Sequence, residues 1–456
     1  MPADARPATE GASGGSGTRR GVRQEFRTRE QLVIHSLTWL VVGSAVGLLM
    51  ATLLLWPSVG ALLAPLTYGR WATLHLDLLL YGWCALPVVG LLLDGFGATL
   101  SHPRLARSTL AVWSGTLLFA AFAWLAGHTS GRLFVEWNGP SRIAFAANLV
   151  WLWLVLAIAT LRAGRQAGWG RVARPVLLAV LSVVPWTFWS GTRVAFHPPI
   201  NPASGGPTGA GLLASSLGLV AVLLLAPALL GLRRTVTASR AGGVWLLLGL
   251  HFALFLWVRG EHSHREPLQV IALSSLIVWI PLLVRVWRAF AWPVEVQRWV
   301  VALVAWGGAL AGSSIVPYLA PGTLDAWKFT HALVAHAHLA MAGMLTSFVG
   351  VILAALVHGT RMQSVLAAPR RFLLWHAGCA FYVLSMGILG GLEAGHPGLV
   401  FRPGAVVLFL FSVRWLAGAM MTGAAIAWLR GALRVTVGTR STEASITATG
   451  ALREAS

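Results

Sequence analysis

Charged residues are scarce in this chain. Asp, Glu, Lys and Arg together make up 11% of the 456 residues, whereas hydrophobic residues make up 57%. A soluble globular domain carries about 25% charged residues. The composition therefore excludes a soluble globule and indicates an integral membrane protein.

Cysteine is equally rare, and the only two, Cys84 and Cys379, both lie in apolar segments. We interpret them as packing residues rather than as a disulfide. The chain also lacks a Cys-x-x-Cys-His motif, a phosphate-binding Gly-Lys-Ser/Thr loop and a hydrolase constellation. These absences exclude covalent attachment of a c-type haem and a nucleotide-hydrolysing P-loop.

About twelve apolar segments are long enough to cross a bilayer. The sequence predicts a disordered cytoplasmic arm over residues 1–30, a membrane domain over 31–432 and a cytoplasmic tail over 433–456. The predicted spans are 31–56, 70–93, 105–127, 143–163, 174–196, 208–232, 242–260, 267–287, 297–319, 329–357, 371–392 and 403–430.

The net charge of +20 is distributed unevenly between the connections. Alternate connections are rich in arginine, and the Arg-rich N-terminal segment belongs to the same side. By the positive-inside rule we expect both termini in the cytoplasm. The basic charge then reflects topology and contact with anionic lipid, so we expect no nucleic-acid partner. The arginines of these connections are Arg104, Arg107, Arg162, Arg165, Arg171, Arg174, Arg233, Arg234, Arg240, Arg285, Arg288, Arg298, Arg361, Arg370 and Arg371.

Three histidines lie in one apolar span, FTHALVAHAHLAMAGM, which runs from Phe329 to Met344. An ionisable side chain at membrane depth is costly, so function is its default interpretation. Residues two apart on a helix point about 200° apart, so His336 and His338 project from opposite faces. One such helix can hold a planar metal cofactor on each side, and imidazole is a common axial ligand of haem iron.

His75 in span two lies at a depth comparable to that of the span-ten pair, measured from the predicted outer surface. One buried haem between the two spans would explain this match. The alternative is a set of unrelated histidines, each hydrogen-bonded in the core.

Three segments carry a resemblance to a known family. The segments are YGRWATLHLDLLLYGW (68–83), VAHAHLAMAG in span ten and VRWLAGAMMTG (413–423). They resemble the second, tenth and last helices of the large subunit (subunit I) of haem-copper oxidases, and most closely the C family, the cytochrome-cbb type. The resemblance extends over residues 31–432 and implies an all-α bundle of about twelve transmembrane helices in a bacterial inner membrane.

The resemblance implies two haems, expected to be b-type. His75 and His338 would be the axial ligands of a low-spin haem, and His336 the proximal ligand of a high-spin haem that binds O₂ or NO. His331 is expected to contact a propionate or water. The arginines expected to pair with propionates are Arg142, Arg259 and Arg402.

The second metal site departs from the family pattern. The family's copper ion is held by one histidine that opens helix six and an adjacent pair at the end of helix seven. The first position falls at or near Pro207, and His262 and His264 in GEHSH replace the pair. Spans six and seven contain no tyrosine, and His197 is the nearby histidine that would complete the site. Whether copper or non-haem iron binds as a second metal therefore stays open. If it does, His262 is expected to act in catalysis together with His336.

Two classes of function remain. In the first, electrons from a c-type cytochrome on the outer face pass through the low-spin haem to the high-spin haem. Other respiratory subunits are expected as partners of the chain. The second is a twelve-span transporter without redox cofactor. A transporter is expected to show paired half-repeats, which this sequence does not contain.

Overall fold

A computed structural model of the chain describes residues 14–162, 170–200, 212–235, 241–258, 266–401 and 403–454. Within these ranges ten helices are long and apolar enough to cross a membrane, and two apolar helices are shorter. The twelve are α1 (Gln24–Leu55), α2 (Tyr68–Gly95), α3 (Pro103–Leu125), α4 (Gly139–Arg162), α5 (Val172–Gly191), α6 (Ser216–Leu229), α7 (Gly243–Trp257), α8 (Pro267–Arg288), α9 (Val294–Pro317), α10 (His331–Leu356), α11 (Pro369–Gly395) and α12 (Ala405–Gly438).

The prediction of an all-α polytopic membrane bundle is confirmed, since each of the twelve helices overlaps one predicted span. Among the described residues ten of these helices have the full length of a span, and the described parts of α6 and α7 are shorter. Both of these helices border residues that the structure does not describe. Short helices occupy some connections, at Val59–Leu62, Ala98–Ser101, Thr323–Trp327 and Arg361–Leu366.

The first and last helices extend beyond the predicted membrane domain. The helix that contains α1 begins at Gly14, within the segment 1–30 that precedes the predicted membrane domain. Thr28 is buried, and Arg29 donates from Nε and Nη2 to the two carboxylate oxygens of Asp94 at 2.8 and 3.0 Å. This paired contact ties the start of α1 to the end of α2. The helix that contains α12 continues to Glu454, through the predicted tail.

The helices that carry His75 and His338, α2 and α10, are the most buried of the full-length spans. The apolar windows of α10 and α2 are 72% and 61% buried, whereas those of the other eight full-length spans are 44% buried or less. Helix α1 packs against α2 and α12, and α11 packs against α10 and α12. The indole of Trp83 in α2 donates to the hydroxyl of Thr346 in α10 at 2.9 Å. The fold therefore places α2 and α10 in contact at the centre of the bundle.

Candidate functional site

His75 of α2 and His338 of α10 lie side by side. Their ring centres are 6.1 Å apart and their ring planes are 23° from parallel. Both side chains are only partly buried, although each helix is well covered by its neighbours. The structure thus brings together the two histidines that the sequence proposes as a ligand pair.

The hydrogen bonds of these two histidines fix their tautomers. Nδ1 of His75 is 2.8 Å from the carbonyl oxygen of Gly43, and Nδ1 of His338 is 2.9 Å from that of Val334. A carbonyl oxygen only accepts, so both Nδ1 atoms carry the proton and both Nε2 atoms keep a lone pair. Metal-binding histidines are held in this way, with the second ring nitrogen donating to a carbonyl or carboxylate.

His336 faces a different helix. Its Nδ1 is 3.0 Å from the hydroxyl oxygen of Ser313 in α9. That hydroxyl donates its single hydrogen to the carbonyl of Leu310, at 3.0 Å, so Nδ1 of His336 is the donor. His336 therefore shares the tautomer of His75 and His338 but points toward α9, as its two-residue spacing from His338 requires.

A π-helical segment follows each histidine of the pair. Leu78–Cys84 begins three residues after His75, and Leu339–Leu345 begins directly after His338. They are the two π-helical segments in the described part of the chain. Such wide turns interrupt α-helices most often at functional sites.

Tryptophan side chains satisfy carbonyl groups inside both π-segments. Trp113 of α3 donates to the carbonyl of Tyr81 at 2.9 Å, and Trp375 of α11 donates to the carbonyl of Ala342 at 2.9 Å. A buried carbonyl without a partner is costly, so these bonds stabilise the widened turns. The sequence contains no signal that separates these tryptophans from the others.

Glycines of α1 let that helix approach His75. A Cβ atom on Gly47 would lie 2.5 Å from Cε1 of His75, closer than any real contact. Gly43, one turn earlier, supplies the carbonyl that holds Nδ1. The pair forms a Gly-x-x-x-Gly pattern, which permits close packing of membrane helices. This pattern is the signal by which the sequence could have revealed the role of α1.

The residues predicted to contact propionates have other partners where they are described. The carboxylate of Glu393 accepts from the backbone N–H of His331 at 2.7 Å and lies 2.9 Å from its Nδ1. Arg142 donates to the hydroxyl of Thr192 at 2.8 Å, and its guanidinium covers the ring of Trp189 at 3.9 Å. The two remaining candidates, Arg259 and Arg402, lie outside the described residues.

The predicted second metal site also falls largely outside the description. His262, His264 and Pro207 belong to ranges that the structure does not describe. His197 lies in the exposed turn after α5, where desolvation and the positive charge of Arg132 lower its pKa. In the described ranges no three His, Cys, Asp or Glu side chains are grouped closely enough to hold a metal ion.

Two further membrane histidines provide a contrast. Both ring nitrogens of His251 are hydrogen-bonded, to Ser275 at 3.1 Å and to the indole of Trp279 at 3.2 Å. His376 accepts from the indole of Trp306 at 2.9 Å through Nδ1, so its proton lies on Nε2. Neither histidine presents a free Nε2 lone pair, unlike His75, His336 and His338.

No protein-family model matches the chain. A stretch of 131 residues, 28% of this chain, is 28% identical to the Cbb3-type cytochrome c oxidase subunit CcoN1 of Stutzerimonas stutzeri. The match spans 27% of the length of that protein. The similarity is therefore local, and it concerns a chain that has ten helices long and apolar enough to cross a membrane among its described residues.

Proposed function

We propose that this chain is a haem-dependent membrane oxidoreductase of the haem-copper oxidase type. His75 and His338 hold the iron of a low-spin haem, and His336 holds the iron of a second, high-spin haem. One observation carries the proposal: the rings of His75 and His338 are nearly parallel and 6.1 Å apart, in the two most buried spans. The similarity to a Cbb3-type oxidase subunit supports the same conclusion.

The residues present fit a haem iron with two imidazole ligands. An imidazole nitrogen lies about 2 Å from the metal it binds and the ring centre about 1 Å beyond, so two imidazoles on one ion have centres about 6 Å apart. The observed 6.1 Å agrees with this distance. Both Nδ1 atoms are committed to carbonyl groups, which leaves Nε2 of each ring as the donor to a metal.

The chain's own groups orient the ligands before any iron binds. The carbonyl of Gly43 fixes the ring of His75 from α1, and the carbonyl of Val334 fixes the ring of His338 from within α10. Ser313 does the same for His336 from α9. His75 and His338 would hold a haem that supplies one-electron transfer, and His336 would hold a haem that supplies binding of O₂ or NO.

The proposed setting is a bacterial inner membrane with both termini in the cytoplasm. The Arg-rich connections support this orientation through the positive-inside rule. A c-type cytochrome, or a cytochrome subunit, would deliver electrons at the outer face, within an assembly of other respiratory subunits. For the second metal, a proline at position 207 and the spacing of His262 and His264 favour incomplete copper loading.

A reduced-minus-oxidised absorption spectrum of the purified full-length protein tests the proposal. Haem extracted from the protein should amount to two non-covalent b-type groups per chain, and the spectrum should contain both low-spin and high-spin components. Stoichiometric haem with only one spin state would remove one of the two ligand assignments. A protein purified without any haem absorption would overturn the redox function and favour the alternative, a twelve-span transporter.

A further inference from the structure

Side chains from three helices form a stack that ends on the ring of His338. The ring of Tyr382 in α11 lies 3.9 Å from that of His338, centre to centre, and the planes are 22° from parallel. The guanidinium carbon of Arg414 in α12 lies 5.4 Å from the centre of the Tyr382 ring. The distance from the guanidinium carbon of Arg414 to the centre of the His338 ring therefore cannot exceed the sum of these two distances.

Arg414 is a buried cation, with 6% of its surface exposed. Within the described ranges it forms no ion pair, and its Nε has no hydrogen-bond partner. Nη1 of Arg414 lies 3.8 Å from the sulfur of Met386. A guanidinium stays charged inside proteins, so this arrangement costs free energy that the contact with Tyr382 only partly offsets.

A packing role does not explain that cost. Replacing buried ionic groups by apolar side chains of similar volume is often neutral or stabilising, so a methionine or leucine would fill this position as well. The charge itself must then matter. The charge acts near His338, because Tyr382 contacts both the guanidinium of Arg414 and the imidazole of His338.

We propose that Arg414, acting through Tyr382, is a positioning and electrostatic residue for the iron that His338 holds. Tyr382 fixes the rotation of the His338 ring, and the charge of Arg414 raises the reduction potential of that iron. The sign follows from electrostatics: reduction removes one positive charge from the iron, so a nearby cation stabilises the reduced form. This inference rests on the haem-binding function proposed above.

The chain contains a matched stack that provides a control. Arg298 covers the ring of Phe372 at 5.7 Å, and Phe372 contacts His376 with ring centres 4.3 Å apart. Arg298 is exposed, however, and donates to the carbonyl of Ala367 at 2.9 Å. An arginine, an aromatic ring and a histidine thus recur in the same order outside the proposed site, with phenylalanine in place of tyrosine and the cation in contact with solvent.

Redox titration of both haems in the full-length protein tests the proposal. The set comprises the wild type, Arg414→Met, Arg414→Lys and Arg298→Met. A unit charge acting across roughly 10 Å, at an effective dielectric constant of about 20, changes a one-electron equilibrium on the order of tenfold. Arg414→Met should therefore lower the potential of the low-spin haem by about 59 mV, the value for a tenfold change with one electron. Arg414→Lys should retain most of the wild-type potential, and Arg298→Met all of it.

A second measurement examines the ring contact without relying on Arg414. Tyr382→Leu should alter the electron paramagnetic resonance g values of the oxidised low-spin haem, because the His338 ring loses its flat neighbour. Tyr382→Phe should leave them unchanged. Unaltered g values in Tyr382→Leu would remove the positioning role.

The outcomes separate this inference from the proposed function. Arg414→Met with both haems bound and an unchanged low-spin potential would overturn the inference and leave haem binding intact. Equal shifts at both haems would also overturn it, since the stack ends on one histidine. A wild-type protein without haem bands would refute the proposed function itself, together with the inference that depends on it.

Discussion

The imidazole rings of His75 and His338 come from helices more than 250 residues apart in sequence, yet they lie 6.1 Å apart with nearly parallel planes. If the pair holds one iron, either His75→Ala or His338→Ala should abolish the six-coordinate low-spin spectrum. The haem held by His336 should remain in large part, because that side chain faces α9. Optical spectra of the oxidised and reduced proteins measure both components.

His251→Ala is the control for these two variants. This histidine likewise lies in an apolar helix and is buried, but both of its ring nitrogens are hydrogen-bonded. The variant should lose stability, since the indole of Trp279 loses its acceptor, while the low-spin spectrum of the folded fraction stays normal. A normal low-spin spectrum in His75→Ala or in His338→Ala would refute the ligand pair.

The angle between the rings gives a second prediction. Two nearly parallel imidazole planes impose a rhombic field on a low-spin ferric iron, whereas perpendicular planes produce a spectrum dominated by one large g value. The 23° angle between His75 and His338 therefore predicts a rhombic signal with three resolved g values. Low-temperature electron paramagnetic resonance of the oxidised protein measures it, and a single large g value would contradict the observed geometry.

Gly47 gives a third prediction, about the packing of α1. A Cβ atom at this position would lie 2.5 Å from the His75 ring, so Gly47→Ala must displace either the ring or the helix. We expect a loss of about 1–3 kcal/mol of stability, as for other overpacked cores, together with a reduced low-spin haem content. Haem quantitation and thermal unfolding measure the two effects.

Gly423→Ala in α12 is the matched control, because a Cβ atom there meets no atom within 4 Å. Its haem content should equal that of the wild type. A wild-type content of low-spin haem in Gly47→Ala would contradict the close contact between α1 and the His75 ring.

The sequence predicted the helical membrane fold because hydropathy depends on each segment alone. The alternation of apolar and Arg-rich segments located all twelve helices, and the spacing of His336 and His338 predicted two different faces. These properties follow from local composition and helical geometry. They require no knowledge of which helices touch.

The supporting groups of the site could not be predicted in the same way. Gly43, Ser313 and Tyr382 come from three different helices, and only the packing of those helices decides which histidine each one contacts. The two π-segments are also products of tertiary structure, since distant tryptophans satisfy their carbonyl groups. For Arg142 the propionate contact stays a prediction, and the structure adds contacts of its guanidinium with Trp189 and Thr192 that the sequence does not reveal.

His336 gives a fourth prediction, about ligand binding. His336→Ala should remove CO binding to the reduced protein, because the haem held by His75 and His338 has no free axial position. Ser313→Ala should weaken the high-spin haem by roughly 10- to 100-fold in affinity, the usual effect of losing a group that orients a ligand. Photometric CO titration and haem quantitation provide the measurements.

Ser314→Ala is the control for Ser313→Ala. Its hydroxyl donates to the same carbonyl, that of Leu310, at 2.8 Å, but has no contact with His336. CO binding at the wild-type stoichiometry in His336→Ala would exclude this histidine as the proximal ligand.

The fifth prediction is the metal content. Purified protein should contain two haem irons and less than one copper per chain, and steady O₂ reduction should be slow. A stable copper site needs three or four well-placed donors. Here Pro207 offers no side-chain donor, and His262 and His264 supply at most two imidazoles. Residues two apart near a helix end point in different directions, so His197 would have to supply the third ligand from the turn after α5.

Elemental analysis of the wild type and of His262→Ala measures the metal content. One copper or one extra iron per chain, lost in His262→Ala, would restore a complete second metal site and with it full reductase activity.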